Sequence, residues 1–210
     1  LYFLPENYLL LVLAMIFSGF IRGFLGFGSG LITFPIISYL YSPIYAVVFN
    51  IAIEIPSTMY LTYFGAKNSK FKEISPMLFA MILTFPLGTF FLISTDEQLI
   101  KVIMSILVIF FVTLIASGWK LKVKITKSVL TISGLISGLL HGSTGMGGPP
   151  SSTVLLSKND SNEVSSGNML IISTGVIVSA IITFFYFNLF TKEILLTGLL
   201  TSCLLYTSDA

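Results

Sequence analysis

The chain has 210 residues, 55% of them hydrophobic and only 10% charged, and its mean hydropathy is +0.97. No soluble domain with a polar surface has that composition, so the sequence reads as an all-α polytopic membrane protein. A net charge of +2 gives no footing for nucleic acid, and one Cys (Cys203) and one His (His141) are too few for a disulfide, a Cys-cluster metal site or a haem, so neither a metal nor a cofactor is expected.

Leu1 to Asn7 carries Glu6 and no basic residue, which is not the start of a cleavable signal. Tyr8 to Tyr41 is a run of 34 residues with only Arg22 charged. As one helix it would be about 51 Å long against a hydrocarbon core of about 30 Å, so Gly26 to Gly30 is expected to interrupt it. Pro43 to Gly65 is long enough for a second span, with Asn50 and Glu54 inside it and Pro56 as a kink. A basic loop, Lys67 to Lys72, leads to a third span, Ile74 to Ser94, then to an acidic turn, Thr95 to Gln98, and a fourth span, Leu99 to Gly118. Trp119 stands where an interfacial aromatic belongs, and Lys120, Lys122, Lys124 and Lys127 make the most basic loop of the chain.

A second interrupted segment follows, Ser128 to Ser157. Its stretch Gly138 to Pro150 holds five glycines and two prolines in thirteen residues. Glycine costs about 1 kcal/mol and proline about 3 kcal/mol relative to alanine inside a helix, so this run is not continuous helix through Pro150. After the polar loop Lys158 to Glu163, Val164 to Phe190 forms another span and a further one begins near Ile194.

Sliding the chain by 119 positions superimposes Gly19, Gly23, Gly26 and Gly28 on Gly138, Gly142, Gly145 and Gly147, and Ser18 and Ser38 on Ser137 and Ser157; a shift of 118 pairs Asn50 with Asn168. The expected organisation is thus a tandem repeat of four-span units with glycine-broken first helices. It comprises a first repeat over 1–118, a basic linker over 119–127, a truncated second repeat over 128–202 and a non-native tail over 203–210. By the positive-inside rule both lysine-rich loops are cytoplasmic and the Asp96 turn is outside. If the broken first segment crosses once, the N-terminus is cytoplasmic and the copies run parallel; a re-entrant segment would reverse the N-terminus.

The paired glycine breaks, the second ending Gly145-Met-Gly-Gly-Pro-Pro150, together with the four-span repeat, resemble the sulfite exporter TauE/SafE family of prokaryotic membrane transporters, from about Tyr8 to Thr201. The resemblance implies a secondary transporter of small sulfur-containing anions such as sulfite or sulfonates, in the inner membrane. Ser29 stands where a glycine is common in that pattern.

A break in a membrane helix frees backbone N–H groups and aims a half-helix N-terminus at the gap, which makes an anion site without a charged side chain. On that ground Gly26, Gly28, Ser29, Gly30, Gly145, Gly147 and Gly148 are candidate substrate ligands, whereas Gly19, Gly23, Gly134, Gly138 and Gly142 fit a helix-packing face better. Arg22 and His141 fall at equivalent repeat positions, two cation-capable groups that suit an anion path. The plainer readings are an Arg22–Glu54 ion pair and a hydrogen-bonded packing histidine. Asn50 and Asn168 are candidate donors to a substrate oxygen or interhelical glue. Glu54 is a candidate for proton coupling, although its repeat equivalent is apolar. Ser143, Thr144, Ser151 and Ser152 line the gap or satisfy the backbone freed by it. The expected partners are the lipid bilayer and a small anionic substrate, with homo-oligomerisation left open. The competing class is a membrane-embedded accessory or assembly protein whose glycines only pack helices; an enzyme is disfavoured by the shortage of catalytic residue types.

Overall fold

The computed structural model describes residues 10, 12–16, 18, 29–117, 124–158, 160–192 and 194–198, and every regular element among them is helical. In chain order these are α1 (Ser29–Leu40), α2 (Pro43–Gly65), a 3-10 turn (Ala66–Asn68), α3 (Phe71–Ser94), α4 (Glu97–Ala116), α5 (Lys127–Thr144), α6 (Gly148–Leu156) and α7 (Asn162–Tyr186). Residues 12–16 and 194–198 are helical as well. Among the described residues four helices, α2, α3, α4 and α7, are long and apolar enough to cross a membrane. The two arms of the second broken segment, at 18 and 9 residues, are separate shorter helices. α1 begins at Ser29, so Ser29 and Gly30 belong to its first turn; Arg22, Gly26 and Gly28, like Gly19 and Gly23, lie outside the described residues.

Local chemistry sets the helix ends. Ser42 Oγ accepts the Tyr45 N–H at 3.1 Å ahead of Pro43 in the first position, where proline's missing donor does no harm. Thr126 Oγ1 accepts from Val129 N–H, and Ser161 Oγ from Val164 N–H, in the same way. Inside α3, Pro76 and Pro86 each deprive the carbonyl four residues earlier of its donor. Both carbonyls are recovered by hydroxyls: Ser75 Oγ donates to Lys72 O, and Ser179 Oγ, from α7, donates to Ile82 O, each at 3.1 Å. Interhelical bonds of this kind contribute roughly 0.6–2 kcal/mol.

α3 is the axis of the bundle. Its contact with α5 is the most extensive between two described helices and runs in parallel: Gly134 faces Met77 and Ala80, Gly138 faces Met81 and Thr84, and Gly142 faces Phe85 and Thr89. α7 also runs parallel to α3, with Gly175 on Leu78 and Ser179 on Ile82, and antiparallel to α2, with Thr62 Oγ1 and Thr174 Oγ1 at 2.7 Å. The lysine-rich loops before α3 and before α5 therefore lie at one end of the bundle, the basic end, and α2 starts at the opposite end. Phe85, fully buried, ties the three parallel helices together, its ring 6.1 Å from His141 on α5 and 5.8 Å from Phe184 on α7.

The second broken segment turns back on itself. α6 retraces α5, with Gly147 against Ser137 and His141 and Ser133 Oγ donating to Pro150 O at 3.3 Å. The hairpin enters and leaves by the basic end. Gly145, in the left-handed conformation, ends α5, and the close approach of Gly147 to Ser137 O lets the returning arm lie against it. At the opposite end, Leu10 and Ala14 share an apolar pocket with Pro35, Ile36, Tyr39 and Leu40, and α1 passes through Tyr41 and Ser42 straight into α2. The described parts of the first broken segment thus lie towards the end opposite to the one the α5–α6 hairpin uses.

Candidate substrate site at the hairpin break

The break takes three residues between two helices. α5 ends at Thr144; Gly145 follows with φ 74° and ψ −2°, its N–H donating to His141 O at 3.0 Å; α6 begins at Gly148 with Pro149 and Pro150 in its first turn. Of the three candidate glycines only Gly145 is required by its backbone angle. Gly147 has an ordinary helical conformation, φ −77° and ψ −10°, and is glycine for want of room. A Cβ there would strike Ser137 O and come within 2.6 Å of His141 Cβ and 2.9 Å of its Nδ1. Gly148 differs from both, since nothing lies within 4 Å of the place its Cβ would take. The start of α6 therefore borders open space.

That open space meets the positive end of a helix dipole, equivalent to roughly half an elementary charge. Pro149 and Pro150 carry no N–H, so the donors left at the mouth of α6 are the backbone N–H groups next to Gly148. The hydroxyls around the break point elsewhere: Ser143 donates to Leu139 O and Thr144 to Leu140 O at 2.8 and 2.9 Å, while Ser151 and Ser152 donate to Gly148 O at 2.9 and 2.8 Å. They satisfy helix carbonyls, the simpler of the two roles the sequence allowed. Ser137 Oγ and His141 Nδ1, one turn apart on α5, are enclosed with no hydrogen-bond partner among the described residues, and His141 Nδ1 lies beside Gly147. A polar atom buried in this way costs about 1–3 kcal/mol, which a polar ligand would recover.

Gly30 of α1 and Gly145 of the break meet on one side chain. The Phe34 ring lies over Gly30 in α1, where an added Cβ would come within 2.5 Å of Cε2, and its other edge fills the position a Cβ on Gly145 would need. Phe34 is almost fully buried, as is Met146 beside it in the break. So Gly30, Gly145, Gly147, Gly148 and His141 gather around the hairpin tip, with Phe34 between Gly30 and Gly145; of Ser29 only the backbone, in the first turn of α1, is described.

The asparagines do not join them. Asn50 is buried in α2 and its Nδ2 donates to Ala46 O at 2.8 Å. Asn168 is buried near the basic end, where its Oδ1 accepts the Lys70 N–H at 2.8 Å and fixes the loop entering α3. α7 meets the end of α2 there, Leu170 touching Gly65, so the 15 residues from Asn50 to Gly65 put the two amides about 22 Å apart along the bundle. Glu54 is half-buried, one turn beyond Asn50 on α2.

An ion-pair ring closes the basic end. Lys70 Nζ is 2.7 Å from Asp160 Oδ1, Lys158 Nζ is 2.7 Å from Glu73 Oε2 and 3.3 Å from Asp160 Oδ2, and Lys70 lies 4.0 Å from Glu73. It joins the start of α3 to the loop leaving α6. The hydrogen bond from Lys70 holds the Asp160 carboxyl below its usual value of 3.8, and the same bond raises Lys70 above 10.5. Sequence reasoning passed over this ring, Phe34 and Ser137. Only Ser137 left a trace, as the repeat partner of Ser18; an ion pair between loops about 90 residues apart leaves none in a single sequence.

Four described helices long and apolar enough to cross a membrane, with a helical hairpin whose glycine break is buried at its tip, are the build of a polytopic membrane protein. The statistical description of the TauE family, sulfite exporter TauE/SafE, matches residues 11–207, and the chain belongs to that family. No curated protein and no solved structure matches the chain.

Proposed function

We propose that the chain is a secondary carrier of small oxyanions, with sulfite and organic sulfonates as the substrate class, in the cytoplasmic membrane of a prokaryote. The observation that carries this reading, beside membership of a sulfite exporter family, is the meeting of Gly30 and Gly145 on Phe34 beside the open space at Gly148. An anion there would face the N-terminal end of α6 and the enclosed Ser137 Oγ and His141 Nδ1, which together replace part of its hydration shell. Arg22 and Glu54 are proposed for charge compensation and proton coupling, and Gly26, Gly28 and Ser29 for the equivalent backbone site on the first copy.

The tandem repeat belongs to the same proposal, in inverted rather than parallel orientation. α1 and α6 start 119 residues apart (29 and 148), and so do α2 and α7 (43 and 162), which supports two copies of one unit. The described parts of their broken segments lie towards opposite ends of the bundle, which supports inversion, and three long helices separate the two segments, the odd number inversion needs. Inversion also accounts for the separation of Asn50 and Asn168, since equivalent residues then sit at mirrored depths. Alternating access follows as exchange between two half-sites around Phe34.

A non-transporting assembly protein would need Gly134, Gly138, Gly142 and Gly147 for packing just as much; it has no use for the space at Gly148. The deciding experiment is flux of radiolabelled sulfite into proteoliposomes holding a full-length version of the protein, with and without a pH gradient. Saturable uptake inhibited by an unlabelled sulfonate is expected. Uptake no greater than in protein-free vesicles, under either gradient, would overturn the reading.

A further inference from the structure

The apolar pocket of about 460 Å³ beside α1, walled by Leu10, Ala14, Pro35, Ile36, Tyr39 and Leu40, has a twin. Leu10, Ala14 and Pro35 stand 119 residues before Val129, Ser133 and Val154, which wall a groove of about 430 Å³ along α5 and α6. Two hollows of similar size thus fall at matching places in the two repeats, each against both arms of a broken segment. They differ in one wall. The groove at α5 and α6 is closed by α4, through Leu107, Phe110, Phe111 and Leu114, whose spacing of three and four residues makes one face of a helix. The pocket at α1 has no such wall among the described residues. Val154, across the groove from α4, is 6% exposed, whereas Pro35 is only half-buried and Leu10 is 50% exposed.

α4 belongs to the first repeat and the groove it closes to the second, so the fourth span of one unit packs on the broken segment of the other. Exchanging the two units carries the α5–α6 groove onto the pocket at α1, and α4 onto a helix 119 residues further along the chain. The run of the chain agrees. α7 ends at the end opposite to the lysine loops, and the helix at 194–198 turns back from there, with Gly198 against Ala52 and Ile53 in the middle of α2. A span continuing from it reaches the basic end, and the span after that finishes at the opposite end, where the pocket lies.

We propose that the pocket at α1 is the seat of an apolar membrane helix, the second repeat's counterpart of α4, in the full-length protein. A stripe of large apolar side chains on that helix fills the space between residues 10–14 and 35–40. The proposal rests on the inverted repeat put forward above. Pro35 adjoins Phe34, so the seated helix backs the ring that meets Gly145, just as α4 stands across the groove from Pro150 on the other side of the break. Each repeat's last span then braces the broken segment of the other.

The test is photo-cross-linking in the full-length protein, with benzoylphenylalanine in place of Leu10, of Tyr39 or, for reference, of Ile132 in the α4 groove, and the captured peptide identified by mass spectrometry. All three positions are at least 50% exposed, so the bulky group enters without disturbing the core. The probe at Ile132 should capture the α4 peptide around Phe110. The probes at Leu10 and Tyr39 should capture, within the mass of one molecule, a peptide from beyond residue 210; Leu10→Trp, which fills the pocket, should lower capture from Tyr39 several-fold. Capture of lipid alone at both positions, capture of a peptide from a second copy at twice the mass, or no protein adduct at either position overturns the proposal. The orientation of the repeats is read separately, from Ser42→Cys and Ser161→Cys at the matching starts of α2 and α7, labelled with an impermeant thiol reagent in an otherwise cysteine-free protein. Labelling from opposite sides without capture overturns the helix seat alone. Labelling from the same side overturns the inverted repeat and the seat with it.

Discussion

The two arms of the α5–α6 hairpin are built from similar residues and held by opposite means. α5 is clamped along its length: three glycines four residues apart bring its backbone against α3, so close that Met77 O, Met81 O and Phe85 O stand where their Cβ atoms would be, and Gly88 receives α5 in the same way. α6 meets α5 through Gly147 and Pro150, buries Val154 and Leu155 in the core, and is tied at its far end, through the loop that follows it, by the ion-pair ring. One arm is thus fastened backbone to backbone and the other by side chains and an ion-pair ring.

The largest effect should come from the clamped arm. Gly138→Val would drive a side chain into Thr84 Oγ1 and the Met81 backbone, neither of which can withdraw without parting the helices. Overpacking against backbone should cost at least about 3 kcal/mol and leave little monodisperse protein after detergent extraction. Normal yield and thermal stability would break the comparison at its base. Gly145→Ala comes next: the left-handed conformation costs a non-glycine residue about 1–2 kcal/mol, and the Phe34 ring must also shift. Midpoint unfolding temperature in detergent should fall clearly, and flux per folded molecule should fall with it.

The far anchor of α6 should matter less and depend on pH. The folded-state pKa of Asp160 is depressed, so its contribution is present above about 3.8 and is lost as pH falls through the folded value; that of Lys70 is raised, so its contribution is lost only above about 10.5. Asp160→Asn should therefore destabilise modestly at neutral pH, an effect held down by the exposure of Lys70, and the difference from the parent should shrink as pH falls below 3.8. An unfolding series from pH 7 to pH 3 checks this, and a difference constant across the range would remove the ion ring from the account. The smallest change in stability belongs to Gly148→Ala, within about 0.5 kcal/mol because the methyl group enters open space. If that space is the substrate path, flux per folded molecule should nonetheless fall several-fold. Unchanged flux would leave the break a packing device.

Much of this was legible in the chain. The bounds of α2 follow from Ser42-Pro43 at one end and the lysine loop at the other, and the break at Gly145 from glycine and proline propensities alone. The glycines at 134, 138 and 142 announced a packing face by their spacing. What spacing could not tell was which way the chain goes after a break. Propensity says that a helix stops at Gly145; the reversal depends on whether the next arm finds room against α5, which is decided by Gly147 meeting Ser137 O, a contact between backbones that no side-chain pattern encodes. The three glycines of the break look alike in sequence, and the structure gives them three different reasons: a backbone angle, a close approach and an empty space. Phe34 was hidden for a related cause, since a phenylalanine in an apolar helix is unremarkable until the partner it covers is known.

The ion-pair ring also bears on how the chain is threaded during synthesis. Lys70 and Glu73 leave the ribosome some 85–90 residues ahead of Lys158 and Asp160, with α3, α4, α5 and α6 made in between. If the glycine-broken segment were carried across the bilayer instead of folding back, Lys158 and Asp160 would emerge on the other face, and the two short contacts between the loops, Lys70 to Asp160 and Lys158 to Glu73, could not form. The ring can close only in a chain whose hairpin has returned to the side from which it entered.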